Sequence, residues 1–206
     1  MIKMVKWGTQ EFADAYAEAL NNNKSYEEAA ADWEGDFLCR IDPDEEFLQD
    51  MERKGVVEGL LSYLDMMTLE QRRKYMDTPL GDAFKTKMGI QLDIPIAEMD
   101  IDVILSRISQ LSVDDLKGEG IYCWADFWHG SVRNIIPVAP GEHENAVFKL
   151  SGKYKNWKLL ISGQEDAVKL IMMRRLKLEG DLTYLMRRVK TASILAKEVF
   201  AGVPIE

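Results

Sequence analysis

Residues 175–181 read Arg175-Leu-Lys-Leu-Glu-Gly-Asp181, and a long amphipathic stretch follows them to Phe200. Leu176 and Leu178 alternate with Lys177 and Glu179, the period-two pattern of a strand with one buried face. Gly180 permits a sharp turn, and Asp181 is suited to cap the free N–H groups of a following helix. Leu182, Leu185, Met186, Val189, Ala192, Leu195, Val199 and Phe200 then recur every three or four residues, with Arg187, Arg188, Lys190 and Lys197 between them. This spacing predicts one continuous helix with a broad apolar face. The run holds no evident nucleophile, base or metal ligand. It builds a surface, so the function lies in what that surface covers.

The same reading extends upstream. Thr9 caps a first helix carrying Phe12, Ala13, Tyr16, Ala17 and Leu20, and Ser25-x-x-Glu28 reads as a capping box for a second. Gly35 opens a strand over 36–41. From Pro43 to Gly118 the pattern becomes helical. Val57, Leu60, Leu61, Leu64 and Met67 form a stripe, Thr68-x-x-Gln71 is a second capping box, and Thr78-Pro79 begins a helix that ends near Gly89. Six methionines fall in this block (Met51, Met66, Met67, Met76, Met88 and Met99), suiting either an adaptable apolar surface or irregular gaps in a core. Strand pattern returns over 118–130, with Ile121, Cys123, Ala125 and Phe127 on one face and Tyr122, Trp124, Asp126 and Trp128 on the other. Gly130-Ser131 is a hairpin turn into a second strand, and 146–150 forms a third.

Phe148-Lys-Leu-Ser-Gly-Lys-Tyr-Lys-Asn-Trp157, Leu160-Ile-Ser-Gly163 and Leu176-Lys-Leu-Glu-Gly-Asp181 together resemble the sterol-transfer domain of the sterol carrier protein 2 family, in its small prokaryotic form. The family's late signature, Gly-Lys-Leu-Lys-hydrophobic-x-Gly-Asp, falls on Arg174 to Asp181, with Arg174 and Arg175 in place of Gly-Lys. That departure removes the glycine from the turn before the last strand. The resemblance covers 119–203 and 9–42. It implies an α+β fold, a sterol-carrier-protein-like five-stranded, mostly antiparallel sheet covered by helices. Residues 1–42 and 119–206 then form a lipid-binding domain, and 43–118 is a helical insertion within it.

Bulk properties agree with such a domain. The chain has 206 residues, 47% of them hydrophobic, enough for a sizeable core. No apolar run approaches the ~20 residues needed to cross a bilayer. Met1–Trp7 carries positive charge with no apolar segment behind it, so no secretory leader is expected. Cys39 and Cys123, both in strand pattern, suit reduced buried thiols and a cytoplasmic protein. The net charge of −9 is uneven: residues 147–206 hold 12 Lys and Arg against 6 Asp and Glu, and residues 1–146 hold 14 against 29. An acidic body argues against nucleic acid as a partner. The basic end suits transient contact with an anionic membrane or the phosphates of an acyl-CoA.

Catalytic patterns are scarce. His129 and His143 are the only histidines, neither lies in a zinc-like spacing, and no nucleophile elbow or phosphate loop is present. Carboxylate pairs such as Asp42/Asp44 and Glu98/Asp100 fall in turns that normally face solvent. An enzyme, a metal and a redox cofactor are therefore not expected. The resemblance implies an apolar tunnel between the sheet and its helices, closed by the final helix. Its wall maps to Trp124, Phe127, Ile136, Met172, Leu178, Leu185, Met186, Val189 and Leu195. Trp124 and Phe127 can share that wall only if their strand bulges. The expected function is non-covalent binding or transfer of a hydrophobic ligand such as a fatty acyl chain or acyl-CoA. Two alternatives stand beside it: an accessory subunit presenting a hydrophobic substrate to a partner enzyme, and a protein-interaction module with a closed cavity, whose Met-rich insertion docks a partner protein. The insertion also suits a homodimer surface. An unpaired polar group inside the cavity would point to substrate presentation.

Overall fold

A computed structural model describes residues 5, 6 and 8–203; most of the reading of Met1–Trp7 falls outside them. Two helices come first, α1 (Gln10–Asn21) and α2 (Lys24–Ala29). Thr9 caps α1 by accepting from Phe12 N–H. The expected Ser25 box is replaced by Asn23, whose side chain accepts from Tyr26 N–H, because the helix begins two residues earlier than the box requires.

Strand β1 (Glu34–Asp42) leads into a helical block of α3 (Glu45–Met51), α4 (Lys54–Asp65), α5 (Leu69–Met76), α6 (Pro79–Ala83) and α7 (Ile101–Arg107). The Thr68/Gln71 box forms as the sequence requires, and Thr78 caps α6 with Pro79 in its first turn. A π-helical turn over Phe84–Met88 extends α6 and ends at Gly89, whose φ is 75°. The hairpin β2 (Ile121–Trp128) and β3 (Ser131–Val138) follows, then β4 (Phe148–Lys153), α8 (Tyr154–Ile161), α9 (Ala167–Met172) and β5 (Leu176–Glu179).

The five strands form one sheet in the order β3-β2-β1-β4-β5. All neighbours are antiparallel except β1 and β4, which run parallel with Phe37 opposite Phe148 and Asp42 opposite Lys153. The expected α+β fold with a mostly antiparallel sheet is present. A register shift between Asp126 and Phe127 sets Asp126 opposite Asn134 and Phe127 opposite Val132, so the additional residue, Arg133, lies on β3. β2 therefore keeps its regular alternation.

The closing segment departs from its sequence pattern. One helix was expected from Leu182 to Phe200; the chain instead forms α10 (Leu182–Met186), α11 (Val189–Ile194) and a π-helical turn over Leu195–Phe200. Arg188, at φ −115° and ψ 29°, breaks the helix. Its guanidinium lies 3.6 Å from the Tyr184 ring centroid, donates to Tyr184 O and holds the Asp32 carboxylate at 2.5 Å. A basic residue expected on the solvent face thus ties the segment to the α2–β1 connection.

The helical block shares its core with the sheet. Phe47, Met51, Leu60 and Leu64 belong to the same buried cluster as Ile121, Val138 and Leu150. Met51, Met67 and Met88 are buried, which favours the core role over the surface role for these three. Asp44, expected to face solvent, is completely buried. One carboxylate oxygen accepts from Glu46 and Phe47 N–H and caps α3; the other accepts from Lys155 N–H at the start of α8.

Gly180 has φ +131°, and a Cβ there would lie 2.7 Å from the Phe148 ring and 2.8 Å from Val147 O. Gly180→Ala should therefore cost roughly 1–3 kcal/mol, read as a lower urea midpoint with unchanged slope. A midpoint equal to wild type would show that β5 can shift away without cost.

Candidate functional site

An apolar cavity of about 200 Å³ lies between one face of the sheet and the helices that cover it. Strand alternation supplies the floor: Phe37, Cys39 and Ile41 from β1, Ile121, Cys123, Ala125 and Phe127 from β2, and Ile135 and Pro137 from β3. The walls come from Phe12, Ala13 and Tyr16 of α1, Tyr63 of α4 with Met66 just beyond it, Trp157, Leu160 and Ile161 of α8, and Ala192, Leu195 and Phe200 of the closing segment. No charged side chain lines it among the described residues.

The polar groups at this wall are mostly satisfied. Tyr63 donates to the Tyr122 carbonyl, and the Trp157 indole donates to Arg40 O at 3.1 Å. Cys39 and Cys123 face each other across β1 and β2, and burial pushes the Cys123 thiol up to about 12. Such thiols are poor nucleophiles and act as small apolar groups. The Tyr16 hydroxyl is the exception: it is buried and makes no hydrogen bond.

The structure separates the nine residues mapped by resemblance. Phe127, Ile136 and Leu195 line the cavity, and Leu185 lines a smaller adjoining pocket under α11 with Phe127 and Leu195. Trp124 lies on the opposite face of β2, where its ring stacks on His143 at 4.2 Å and its indole donates to Asp36 at 2.6 Å. The bulge that would bring Trp124 and Phe127 to one face sits on β3 instead. Met172 is 60% exposed, and Met186 and Val189 are 39% and 41% exposed. For the last two the cause is the break at Arg188, which turns Leu185, Thr191 and Ile194 inward instead. Leu178 is half-buried and borders a shallow surface depression. Tyr16, Tyr63, Trp157 and Ala192 were not foreseen as wall residues. The apolar stripe of the first helix carried a usable signal for Tyr16.

The comparisons with known proteins bear on this cavity. Residues 95–193 match the model of the SCP-2 sterol transfer family. The match begins inside the block read as an insertion. Two solved structures share the fold. One is the solution structure of a conserved hypothetical protein of Thermus thermophilus, described as a candidate sterol carrier protein; it is 19% identical with a TM-score of 0.55, covering 100% of this chain and 94% of that one. The other, a crystal structure of sterol carrier protein 2, is 20% identical with a TM-score of 0.52, covering 95% and 97%. No curated protein matches the chain in sequence.

The turn before β5 borders a second feature. An open cleft of about 760 Å³ is lined by Glu46, Lys153, Lys155, Asn156, Lys158, Leu159, Ser162, Gln164, Arg174 and Arg175. Helix α8 is the partition: Trp157, Leu160 and Ile161 face the apolar cavity, and Lys155, Lys158, Leu159 and Ser162 face the cleft. Lys158 is held by Asp50 at 2.7 Å and Glu46 at 2.6 Å. Burial would lower its pKa, but these carboxylates outweigh burial and raise it. Arg174 takes φ +57°, so the turn before β5 is made in the left-handed region without a glycine.

Exposed and cavity-facing positions respond differently to added volume. Ala192→Leu should fill the cavity, reducing uptake of a fluorescent lipid while leaving the melting temperature equal or higher. Val189→Trp should change neither, because Val189 points to solvent. Loss of uptake in the Val189 variant, or normal uptake in the Ala192 variant, would move the binding surface elsewhere.

Proposed function

We propose that this protein binds a lipid or other hydrophobic ligand non-covalently in the cavity between the sheet, α1, α4, α8 and the closing segment, and passes it on without chemical change. The uncharged wall of that cavity carries the reading. Burial of apolar surface stabilises by about 25 cal/mol per Å², so an alkyl or acyl chain needs no charged anchor. The match of 95–193 to a sterol transfer family supports the same ligand class. A non-catalytic role is supported by the places of the two histidines. His129, on the β2–β3 turn, pairs with Glu34 at the start of β1, and His143 stacks on Trp124 outside the cavity.

Among the described residues no helix is long and apolar enough to cross a membrane. The proposal includes ligand exchange at an anionic membrane surface. The basic cleft is the surface we assign to it. Lys153, Lys155, Arg174 and Arg175 line it, and the exposed Met172 and Met173 directly precede Arg174. Phosphate-bearing headgroups, or the phosphates of an acyl-CoA, suit that charge. The helical block acts as a wall of the cavity through Tyr63 and as a brace through Asp44. A homodimer through the block would use Leu69 and Val103, which it leaves exposed.

Native mass spectrometry of the protein as purified from cells tests the main reading: a co-purifying lipid is expected. Bare protein that also fails to take up fluorescent lipid would remove it. For the cleft, the triple variant Lys153→Glu, Lys155→Glu, Arg174→Glu should lose association with anionic vesicles, by about 1 kcal/mol per charge at low salt. Equal vesicle binding by variant and wild type would exclude the cleft as the docking surface. Lys158 is left intact because its ion pairs with Asp50 and Glu46 join α8 to α3.

A further inference from the structure

Tyr16 stands apart from every other polar group at the cavity wall. Its residue is 4% exposed, its ring stacks on Phe200 at 4.4 Å, and its hydroxyl has no hydrogen-bond partner. Burial, then the neighbouring Tyr26, Cys39 and Cys123, hold the phenol well above its usual range, so it is a neutral donor at any physiological pH. Tyr16 lines the cavity together with Cys39 and Cys123 of its floor. A buried hydroxyl without a partner costs free energy, and proteins rarely keep one without a use.

Water does not answer this need. An ordered internal water requires two to four polar partners, and an apolar cavity stays dry. The Tyr26 phenol borders the adjoining smaller pocket, and Tyr63 and Trp157 already donate to backbone carbonyls. The remaining polar side chains beside Tyr16 among the described lining residues are the two thiols, which are weak hydrogen-bonding groups. An anionic ligand group does not answer it either. With no lysine, arginine or histidine among the described lining residues, a carboxylate beside Tyr16 would be an unpaired buried charge. A neutral oxygen satisfies both conditions.

We propose that Tyr16 is the polar anchor of the cavity, and that it selects ligands whose buried end carries one neutral oxygen, the hydroxyl or carbonyl of a long-chain alcohol, ketone or ester. This rests on the reading that the cavity holds a hydrophobic ligand. Tyr16 donates its O–H to that oxygen while the surrounding apolar wall covers the hydrocarbon. A fatty acid would enter by its chain and leave its carboxylate at the mouth, out of reach of Tyr16.

The test compares wild type with Tyr16→Phe, which keeps the ring and its stacking on Phe200. Displacement of a fluorescent alkyl probe by decanol, decane and decanoate is measured for both. Wild type should prefer decanol to decane, and Tyr16→Phe should lower decanol affinity roughly tenfold, with decane and decanoate unchanged. The variant alone should melt a few degrees higher, because it removes an unsatisfied buried group. Equal decanol affinity in the two proteins would overturn the anchor while leaving lipid binding intact. A parallel loss of all three ligands would overturn it too, since Tyr16 would then act through cavity shape. Failure of every ligand to displace the probe from wild type would remove the cavity reading, and the anchor with it.

Discussion

β1 lies at the centre of the sheet, antiparallel to β2 on one side and parallel to β4 on the other. Both partners are distant in sequence: Cys39 faces Cys123 across one edge and Leu150 across the other. A parallel neighbour cannot be reached by a tight turn, so the chain must leave β1, travel, and return to β4 in the same direction. The helical block and the β2–β3 hairpin occupy that journey. Their shared core with the sheet follows from this constraint, because helices between two joined edges have nowhere else to bury an apolar face. Asp44 acts at the exit from β1, capping α3 with one oxygen and holding the first turn of α8 with the other. One buried carboxylate thereby fixes the block and the cavity wall relative to each other.

Helix α8 inherits two tasks from that placement. Its apolar side closes the cavity with Trp157, whose indole is tied to the Arg40 carbonyl of β1. Its basic side faces the cleft. The two environments are separated by the width of a single helix. Under the proposed function that adjacency matters: a lipid presented at the cleft has only to pass the end or side of α8 to leave water.

Much of the architecture was readable from residues 175–181 and the capping signals, since these are local. Gly180, the Thr68/Gln71 box and the Thr78-Pro79 start each depend on a few neighbours and behave as their chemistry requires. The site was read less well, for physical reasons. Periodicity reports which side chains are apolar, not whether the helix that carries them is continuous, and the break at Arg188 is made by tertiary bonds to Asp32. Strand alternation did separate Trp124 from Phe127, and the two-residue period held over the resemblance that joined them. Asp44 and Tyr16 were hidden for a third reason. Whether a carboxylate is buried or a hydroxyl lacks a partner depends on contacts from the far end of the chain, which no local pattern encodes.

A cavity and an unsatisfied hydroxyl are both costs to the free protein. Packing defects destabilise in proportion to the space left, and a buried donor without an acceptor adds its own desolvation penalty. Two such costs at one place, in a fold that elsewhere buries Phe47, Phe148, Met51 and Met88 almost completely, suggest a structure shaped for a guest. A ligand that fills the space and accepts from Tyr16 would relieve both terms together, and by linkage the bound form would be the more stable one. The same balance serves release. Under the proposed function, because no charged side chain lines the cavity among the described residues, a departing ligand would leave behind no unpaired ion, and the cost of emptying the site would be limited to returning its apolar surface to water and breaking one hydrogen bond. If the chain is a carrier, as proposed, it needs that moderation: tight enough to withdraw a lipid from water, loose enough to give it up at the next surface.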